Sequence, residues 1–212
     1  MRLLITRPEH DVTTHYLSRW SKKIIEKAKS KGMDIIDLWR EKANRKRVIG
    51  ILEKRDIKIV FLNGHGKDDC VAGHDNEIIL NDGDKKAVNS KIIFARSCKS
   101  AKVLGKKAII QGALAYLGYT DDFIFFYTPE KISQPLEDKT AALFLEPSNH
   151  IIIALLKGHS TGDADKKAKE LFRKNMKELL IKGPSSDDYY AVKGLYWDMI
   201  HQVCLGDRNI SI

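Results

Sequence analysis

A histidine and a cysteine, His65 and Cys98, each follow an apolar run that could form a buried strand. Residues 57–66 read IKIVFLNGHG, and residues 91–98 read KIIFARSC. Because loops at the carboxyl ends of parallel strands form the crevice of an open α/β sheet, we expect both side chains at one sheet edge. A thiolate is a nucleophile, and an imidazole can take up and return its proton. The pair predicts nucleophilic catalysis by Cys98, with His65 as base or proton shuttle.

The residues beside this pair could assist the same chemistry. Glycines flank the histidine, so a substrate backbone could approach it closely. We expect the backbone amides of Gly66 and Cys98 to donate hydrogen bonds to an oxyanion. A helix is predicted at 100–111, and its N-terminal dipole would favour the thiolate form of the cysteine. The positive charges of Lys99 and Lys102 would act in the same direction.

Apolar runs and helical patterns alternate along the chain, which is typical of βαβ units with a parallel sheet between two helix layers. Strands are predicted at 3–6, 34–38, 57–62, 92–95, 113–119 and 209–212, with a hairpin strand at 77–80 and a turn at 81–83. Helices are predicted at 12–31, 41–54, 100–111, 136–145, 149–157, 163–182 and 191–203, and a loop at 184–188. We therefore predict an α/β fold, a three-layer α/β/α sandwich with a mostly parallel central sheet, in one domain covering residues 1–212.

The basic charge of the chain predicts a solvated surface. There are 37 Lys and Arg residues against 28 Asp and Glu, a net charge of +9. The lysines are spread over several predicted helices and alternate with acidic residues, as solvated helix faces do. They lack the interleaved aromatic residues of a single-strand-binding groove. Nucleic acid is therefore not an expected partner, and a basic nucleic-acid-associated protein is the weakest alternative.

Cysteine usage and hydropathy bear on location. The chain has three cysteines, Cys70, Cys98 and Cys204. An odd and small number of cysteines does not indicate a disulfide framework. The N-terminus lacks an apolar core followed by small residues, and the apolar run at 151–156 is too short to cross a bilayer. We expect a cytoplasmic protein with no membrane partner.

The ordered set of segments resembles the clan CD cysteine peptidases, which include caspases, gingipains, legumain, separase and the CHAT domains. The 33-residue spacing of His65 and Cys98 is similar to that of gingipain-like and CHAT members. Residues 77–83 (EIILNDG) resemble the hairpin between the two catalytic segments, and residues 112–118 (GALAYLG) the strand after the catalytic helix. Residues 205–212 (LGDRNISI) resemble the Gly-Asp-Pro ending of gingipain-like domains, with Arg208 where proline is usual.

This resemblance implies a caspase-like fold and a cysteine endopeptidase that uses a Cys98–His65 dyad on polypeptide substrates. In several members an acidic residue after the fifth strand lines the pocket for the residue before the cut bond. Asp121 matches that position, with Asp122 as the second choice, so cleavage after Arg or Lys is expected. No metal or organic cofactor is implied, although some members bind calcium. Such peptidases are often controlled by a partner, so a regulatory protein is an expected partner.

Other interpretations stay open at this point. The chain could be an inactive caspase-like module that serves as an interaction scaffold, with Cys98 as a structural thiol. Cys70 and Cys204 are interpreted as packing thiols. No metal site is predicted near Cys70 and His74, because no second cysteine or histidine pair stands at ligand spacing. The remaining histidines are interpreted as surface or core residues: His10, His15, His150, His159 and His201.

Overall fold

The computed structural model describes residues 2–185 and 188–212. The strands within these residues are β1 (Arg2–Arg7), β2 (Asp34–Trp39), β3 (Ile59–Asn63), β4 (Gly66–Lys67), β5 (Cys70–Ala72), β6 (Ile78–Asn81), β7 (Ile92–Arg96), β8 (Ala115–Tyr119) and β9 (Gln202–Gly206). The helices are α1 (Val12–Lys29), α2 (Arg45–Lys54), α3 (Lys85–Val88), α4 (Leu104–Ile110), α5 (Lys139–Leu156), α6 (Thr161–Lys182) and α7 (Ala191–His201).

The central sheet has the strand order β2-β1-β3-β7-β8-β9. The first five of these strands pair in parallel, and β9 runs antiparallel to β8. Every residue of β3, β7 and β8 is buried, as expected for apolar central strands that are covered on both faces. The small antiparallel sheet β4-β5-β6 is inserted in the chain between β3 and β7. The predicted mostly parallel sheet is confirmed.

Helices cover both faces of the central sheet. On one face, α1, α5 and α6 pack against side chains such as Leu3 and Phe61. On the opposite face, α2 and α4 pack against the alternate residues, including Leu4 and Val60. Successive side chains of a strand point to opposite faces, so each central strand supplies both cores. The three-layer α/β/α architecture is therefore confirmed.

Helix α5 corrects the prediction of two separate helices at 136–145 and 149–157. It continues through Pro147, which lacks a backbone N–H and therefore leaves the carbonyl of Leu143 without its helical donor. The side-chain amide of Asn175, on α6, donates to that carbonyl at 2.8 Å. A tertiary contact thus replaces the missing helical hydrogen bond.

The C-terminal strand prediction at 209–212 is wrong. The last strand is β9. Its first two residues were predicted as the end of the helix at 191–203, and no strand was predicted for the rest. The carbonyls of Arg208 and Ile210 instead accept hydrogen bonds from Gly162 and Thr161, in the first turn of α6. These residues therefore satisfy exposed helix amides rather than extending the sheet.

Two other predictions concern the loop at 184–188 and the absence of a membrane-spanning segment. Residues 186–187 of the loop predicted at 184–188 lie outside the described residues. Among the helices that the structure does describe, none combines the length and the apolar character that crossing a membrane requires.

Candidate active site

The ends of β3 and β7 carry the two predicted catalytic residues to the same sheet edge. These strands are neighbours, and Asn63 pairs in register with Arg96. His65 and Cys98 each follow two residues later. The two following loops are in backbone contact, because a Cβ atom built on Gly66 would lie 2.6 Å from the carbonyl oxygen of Cys98. The predicted meeting of the two segments at one edge is what the fold provides.

Glycine is required on both sides of His65. Gly64 has φ +145°, and a Cβ atom there would lie 2.0 Å from the carbonyl oxygen of Ala72. A Cβ atom at Gly66 would also meet the side chain of Ser97 at 2.9 Å. Both contacts are shorter than van der Waals packing allows, so a larger residue would displace the histidine loop.

His65 has a carboxylate partner that was not predicted from the sequence. Its Nε2 atom lies 2.6 Å from Oδ2 of Asp11, the residue before α1. The His65 and Asp11 side chains are each about 40% exposed. A carboxylate that holds one imidazole nitrogen fixes the orientation and tautomer of the ring, leaving Nδ1 free to exchange a proton.

Asp11 divides its two oxygens between two tasks. Oδ1 accepts hydrogen bonds from the backbone N–H of Thr14 at 2.7 Å and from its hydroxyl at 2.8 Å, which caps α1. Oδ2 faces His65. Burial by itself raises the pKa of Asp11, but the hydrogen bonds from His65 and Thr14 outweigh it and lower the pKa below its ordinary value. The only sequence signal was the capping pattern Asp11–Thr14, which indicates a helix start and not a catalytic role.

The Cys98 thiol is partly buried, and its hydrogen-bond contact is with Phe123 rather than with His65. Its Sγ atom lies 4.0 Å from the carbonyl oxygen of Phe123. Burial, followed by the negative charges of Asp122 and Asp198, raises the pKa of the Cys98 thiol to about 11. No hydrogen bond joins Cys98 to His65, both of which lie in the described part of the chain. In this conformation the sulfur is therefore a neutral thiol at pH 7.

The expected electrostatic support for a thiolate is not found. Helix α4 begins at Leu104 rather than at residue 100, and the amides of Val103 and Leu104 donate to the carbonyl of Asp68. Those amides therefore do not face the sulfur. Lys99 and Lys102 are also engaged with carboxylates, since their Nζ atoms lie 3.4 Å from Asp122 and 3.3 Å from Asp68, respectively.

The raised pKa predicts slow alkylation of Cys98 in the free protein. At pH 8, a thiol of pKa about 11 is about 100-fold less ionised than one near 9, so iodoacetamide should react about 100-fold more slowly than with an ordinary exposed cysteine. The rate should increase about tenfold per pH unit from pH 7 to 10. Peptide mapping by mass spectrometry measures the rate at Cys98, and an exposed cysteine in a short reference peptide is the comparison. A rate plateau between pH 6 and 8 would contradict this expectation, since it indicates a thiolate–imidazolium pair.

An acidic groove lies beside the two loops. It has a volume of about 670 Å³ and is lined by Gly66, Lys67, Asp68, Asp69, Asp82, Lys99, Val103 and Asp122. Asp122, the second choice from the sequence, lines this groove. Asp121, the first choice, uses Oδ1 to accept a hydrogen bond from the backbone N–H of Asp122 at 2.8 Å. The surplus of carboxylates favours a basic ligand group.

A buried network fixes the strand ends beneath the site. The guanidinium of Arg96 is fully buried and donates to Asn63, Asn149, Ser21 and the carbonyl of Leu17. Asn63 in turn donates to the carbonyl of Thr6, on β1, at 2.7 Å. Burial lowers the pKa of Arg96 to about 9, which still leaves it protonated at neutral pH. The network couples the positions two residues before His65 and before Cys98.

Among the described residues, two groups of side chains could hold a metal ion. One contains His10, Asp11 and His65, and the other contains His10, His74 and Asp75. From its sequence position His10 is interpreted as a surface or core residue, because nothing in its spacing along the chain places it beside His65.

Comparison with solved structures finds proteins of similar fold. No protein-family model matches the chain, and no curated protein matches it. In structure, the chain is similar to a complex of the pro- and mature domains of Porphyromonas gingivalis RgpB, with a TM-score of 0.64 and 12% identity over 100% of this chain and 48% of that one. A structure described as that of a protease gives a TM-score of 0.60 and 11% identity, over 99% and 48%.

A secreted C11 cysteine protease from Bacteroides thetaiotaomicron, in complex with an irreversible peptide inhibitor, gives a TM-score of 0.41 and 11% identity over 57% of this chain and 48% of that one. The chain spans about half the length of these proteins. The likeness to RgpB covers the whole chain, so the predicted resemblance to clan CD cysteine peptidases is confirmed at the level of the fold.

Proposed function

We propose that this chain is a cysteine endopeptidase in which Cys98 is the nucleophile, His65 the proton shuttle and Asp11 the residue that orients His65. The observation that carries the proposal is the bond between His65 Nε2 and Asp11 Oδ2, at the same sheet edge as Cys98. A base held by a third group beside a nucleophile is the arrangement that acyl transfer requires.

The reaction would proceed through an acyl-enzyme. Nδ1 of His65 takes the thiol proton while Sγ of Cys98 forms a bond to the peptide carbonyl carbon. The displaced carbonyl electron pair becomes an oxyanion that accepts hydrogen bonds from the amides of Gly66 and Cys98. When the C–N bond breaks, the imidazolium gives its proton to the leaving amine. Water, deprotonated by His65, then hydrolyses the thioester.

The substrate would be a polypeptide with Arg or Lys before the cut bond. Asp122 lines the acidic groove beside Gly66, and its carboxylate now pairs with Lys99 at 3.4 Å. A substrate guanidinium could displace that exposed lysine and form a bidentate pair, while an acidic side chain would be repelled. Asp122, rather than Asp121, is therefore the residue to which we assign this preference.

A peptide-library digest tests activity and specificity together. The native chain should cut after Arg and Lys, whereas Cys98→Ala should leave the library intact. Asp122→Asn should reduce the preference for Arg over neutral residues about tenfold or more, since one charge-assisted pair is lost. Asp121→Asn is the matched control and should keep the preference. Equal cutting by native chain and Cys98→Ala, or faster cleavage after Asp than after Arg, would contradict the proposal.

An inactive scaffolding module is the second candidate function. It is favoured by the neutral thiol of Cys98, whose contacts are with Phe123 and Asp122 rather than with His65. An arginyl chloromethylketone distinguishes the two functions. Labelling of Cys98 that His65→Ala abolishes supports the peptidase, whereas equal slow labelling of all three thiols supports the scaffold.

Control by a protein partner would fit the covered thiol. RgpB was solved together with its pro-domain. For this chain, we propose that substrate or a partner shifts the segment around Phe123 and turns Cys98 toward His65. The expected partners are therefore a polypeptide substrate and a regulatory protein.

A further inference from the structure

His10 occupies an unusual position between two other histidines. Its ring centroid lies 6.0 Å from that of His65 and 5.3 Å from that of His74, with steeply inclined planes in both cases. Both ring nitrogens of His10 are buried and have no hydrogen-bond partner among the described residues. Buried polar atoms are normally paired, so an unpartnered imidazole beside other donors indicates a ligand.

The donor atoms around His10 match the requirements of a metal ion. Oδ2 of Asp11 lies 3.6 Å from Nε2 of His10 and 2.6 Å from Nε2 of His65. All three donors lie within 4.8 Å of one another. Ligands of tetrahedral Zn²⁺, at about 2.1 Å from the ion, are about 3.4 Å apart. The His10–Asp11 separation already matches this spacing, and opening the Asp11–His65 contact by about 0.8 Å would bring the second pair to it.

We infer that His10, Asp11 and His65 form a binding site for a divalent transition-metal ion, with Zn²⁺ as the best chemical match, and that occupancy of this site inhibits the peptidase. Two imidazoles and one carboxylate suit Zn²⁺ and its transition-metal neighbours, whereas Ca²⁺ and Mg²⁺ prefer oxygen ligands. The inhibition, but not the binding, rests on the proposed function.

The surroundings of Asp11 favour this set over the one with His74 and Asp75. Thr14 donates hydrogen bonds to the other oxygen of Asp11 and so orients the carboxylate. Residues that bind metal ions are usually oriented by hydrogen bonds of this kind. The Asp75 side chain is 80% exposed and has no comparable restraint among the described contacts. His10 and Asp11 also line an open hollow of about 580 Å³, which gives an ion a path of access.

Metal binding would remove the base from the reaction. An ion on Nε2 of His65 replaces the proton there, so a neutral imidazole must carry its proton on Nδ1. That nitrogen could then no longer accept the proton of Cys98. The ion also takes Oδ2 of Asp11 away from His65, and its charge disfavours formation of an imidazolium.

Isothermal calorimetry with ZnCl₂ on the Cys98→Ala chain tests the binding without interference from that thiol. One ion should bind per chain, and CaCl₂ should give no binding signal. Co²⁺ should give intense visible bands typical of tetrahedral coordination, without a sulfur charge-transfer band. His10→Phe, which keeps a ring in the same place, should weaken Zn²⁺ binding at least tenfold in the same background.

Three further variants locate the ion. His74→Ala should keep Zn²⁺ affinity within about threefold, and so should His150→Ala, a histidine on α5 outside the cluster. Unchanged binding in His10→Phe, or loss of binding in His74→Ala with retention in Asp11→Asn, would overturn the assigned site. Thermal melts of each variant verify folding.

The peptidase assay tests the regulatory half. Zn²⁺ should abolish cleavage by the native chain, and a chelator should restore it. Relative to its own metal-free kcat/KM, His10→Phe should be inhibited only at Zn²⁺ concentrations at least tenfold higher. Full activity at saturating Zn²⁺ would overturn the inhibition while leaving the binding result intact. If the native chain cuts no peptide at all, the proposed function fails, and the calorimetry on Cys98→Ala still decides the metal site.

Discussion

Replacing Asp11 with asparagine is expected to lower kcat/KM for peptide cleavage by about 100-fold or more, because the base loses the carboxylate that orients it. The side-chain amide introduced by this substitution can keep its oxygen toward Thr14 and so would present its NH₂ group to Nε2 of His65. This arrangement favours the tautomer with the proton on Nδ1, which cannot accept the thiol proton. Steady-state kinetics on a basic peptide substrate measures the loss.

The control for this prediction is Thr14→Ala. It removes the hydroxyl that bonds the backbone N–H and Oδ1 of Asp11, whereas the backbone N–H of residue 14 still donates to Oδ1 and Oδ2 stays on His65. We expect it to lower the free energy of unfolding by about 1 kcal/mol while kcat/KM stays within about threefold. Asp11→Asn should show the reverse pattern, since asparagine caps helices as well as aspartate does. If Asp11→Asn kept full activity, Asp11 would be a helix cap and no more.

Replacing Arg96 with methionine is expected to lower the free energy of unfolding by about 3–5 kcal/mol. Methionine has a similar length but no N–H groups, so the buried side-chain oxygens of Asn63 and Asn149 would lose their donors. An unpaired buried acceptor costs about 1–3 kcal/mol, and this substitution would leave both of these oxygens unpaired. Urea unfolding, monitored by circular dichroism, gives the value.

Two variants calibrate the Arg96 result. Arg96→Lys keeps the charge but cannot reach as many acceptors, so its loss should lie between those of the native chain and Arg96→Met. Arg2→Met removes a surface pair with Asp34 and should cost less than about 1 kcal/mol. Equal stability of Arg96→Met and Arg2→Met would show that the buried network contributes nothing beyond packing.

Arg96 also shows how stability and chemistry are joined in this fold. The same side chain bonds Asn63, on β3, from the end of β7. Loosening this contact would move the His65 loop relative to the Cys98 loop, and the proposed reaction needs the separation of these loops fixed within fractions of an ångström. Activity should therefore fall in Arg96→Met even at temperatures where the variant is folded.

The structure places the candidate site where the sequence predicted it, but it does not show the predicted stabilisation of a thiolate at Cys98. Cys98 and His65 come from strand ends that the apolar runs predicted correctly, and the backbone contact of Gly66 with Cys98 places them at one edge. The thiolate expected from a following helix is not found, because α4 begins later and the thiol is buried. The assignment of a cytoplasmic location stays a prediction.

The sequence by itself determined the parallel sheet and the alternation of its strands with helices, and it supplied the two residues to which we assign nucleophile and base roles. Those features are local, because apolar runs and glycine positions are read along the chain. Only the tertiary structure decided that Asp11 orients His65, that His10 stands beside them, and that Asn175 lets α5 pass through Pro147. These contacts join segments distant in sequence, so they depend on how the elements pack, which no spacing in the sequence specifies.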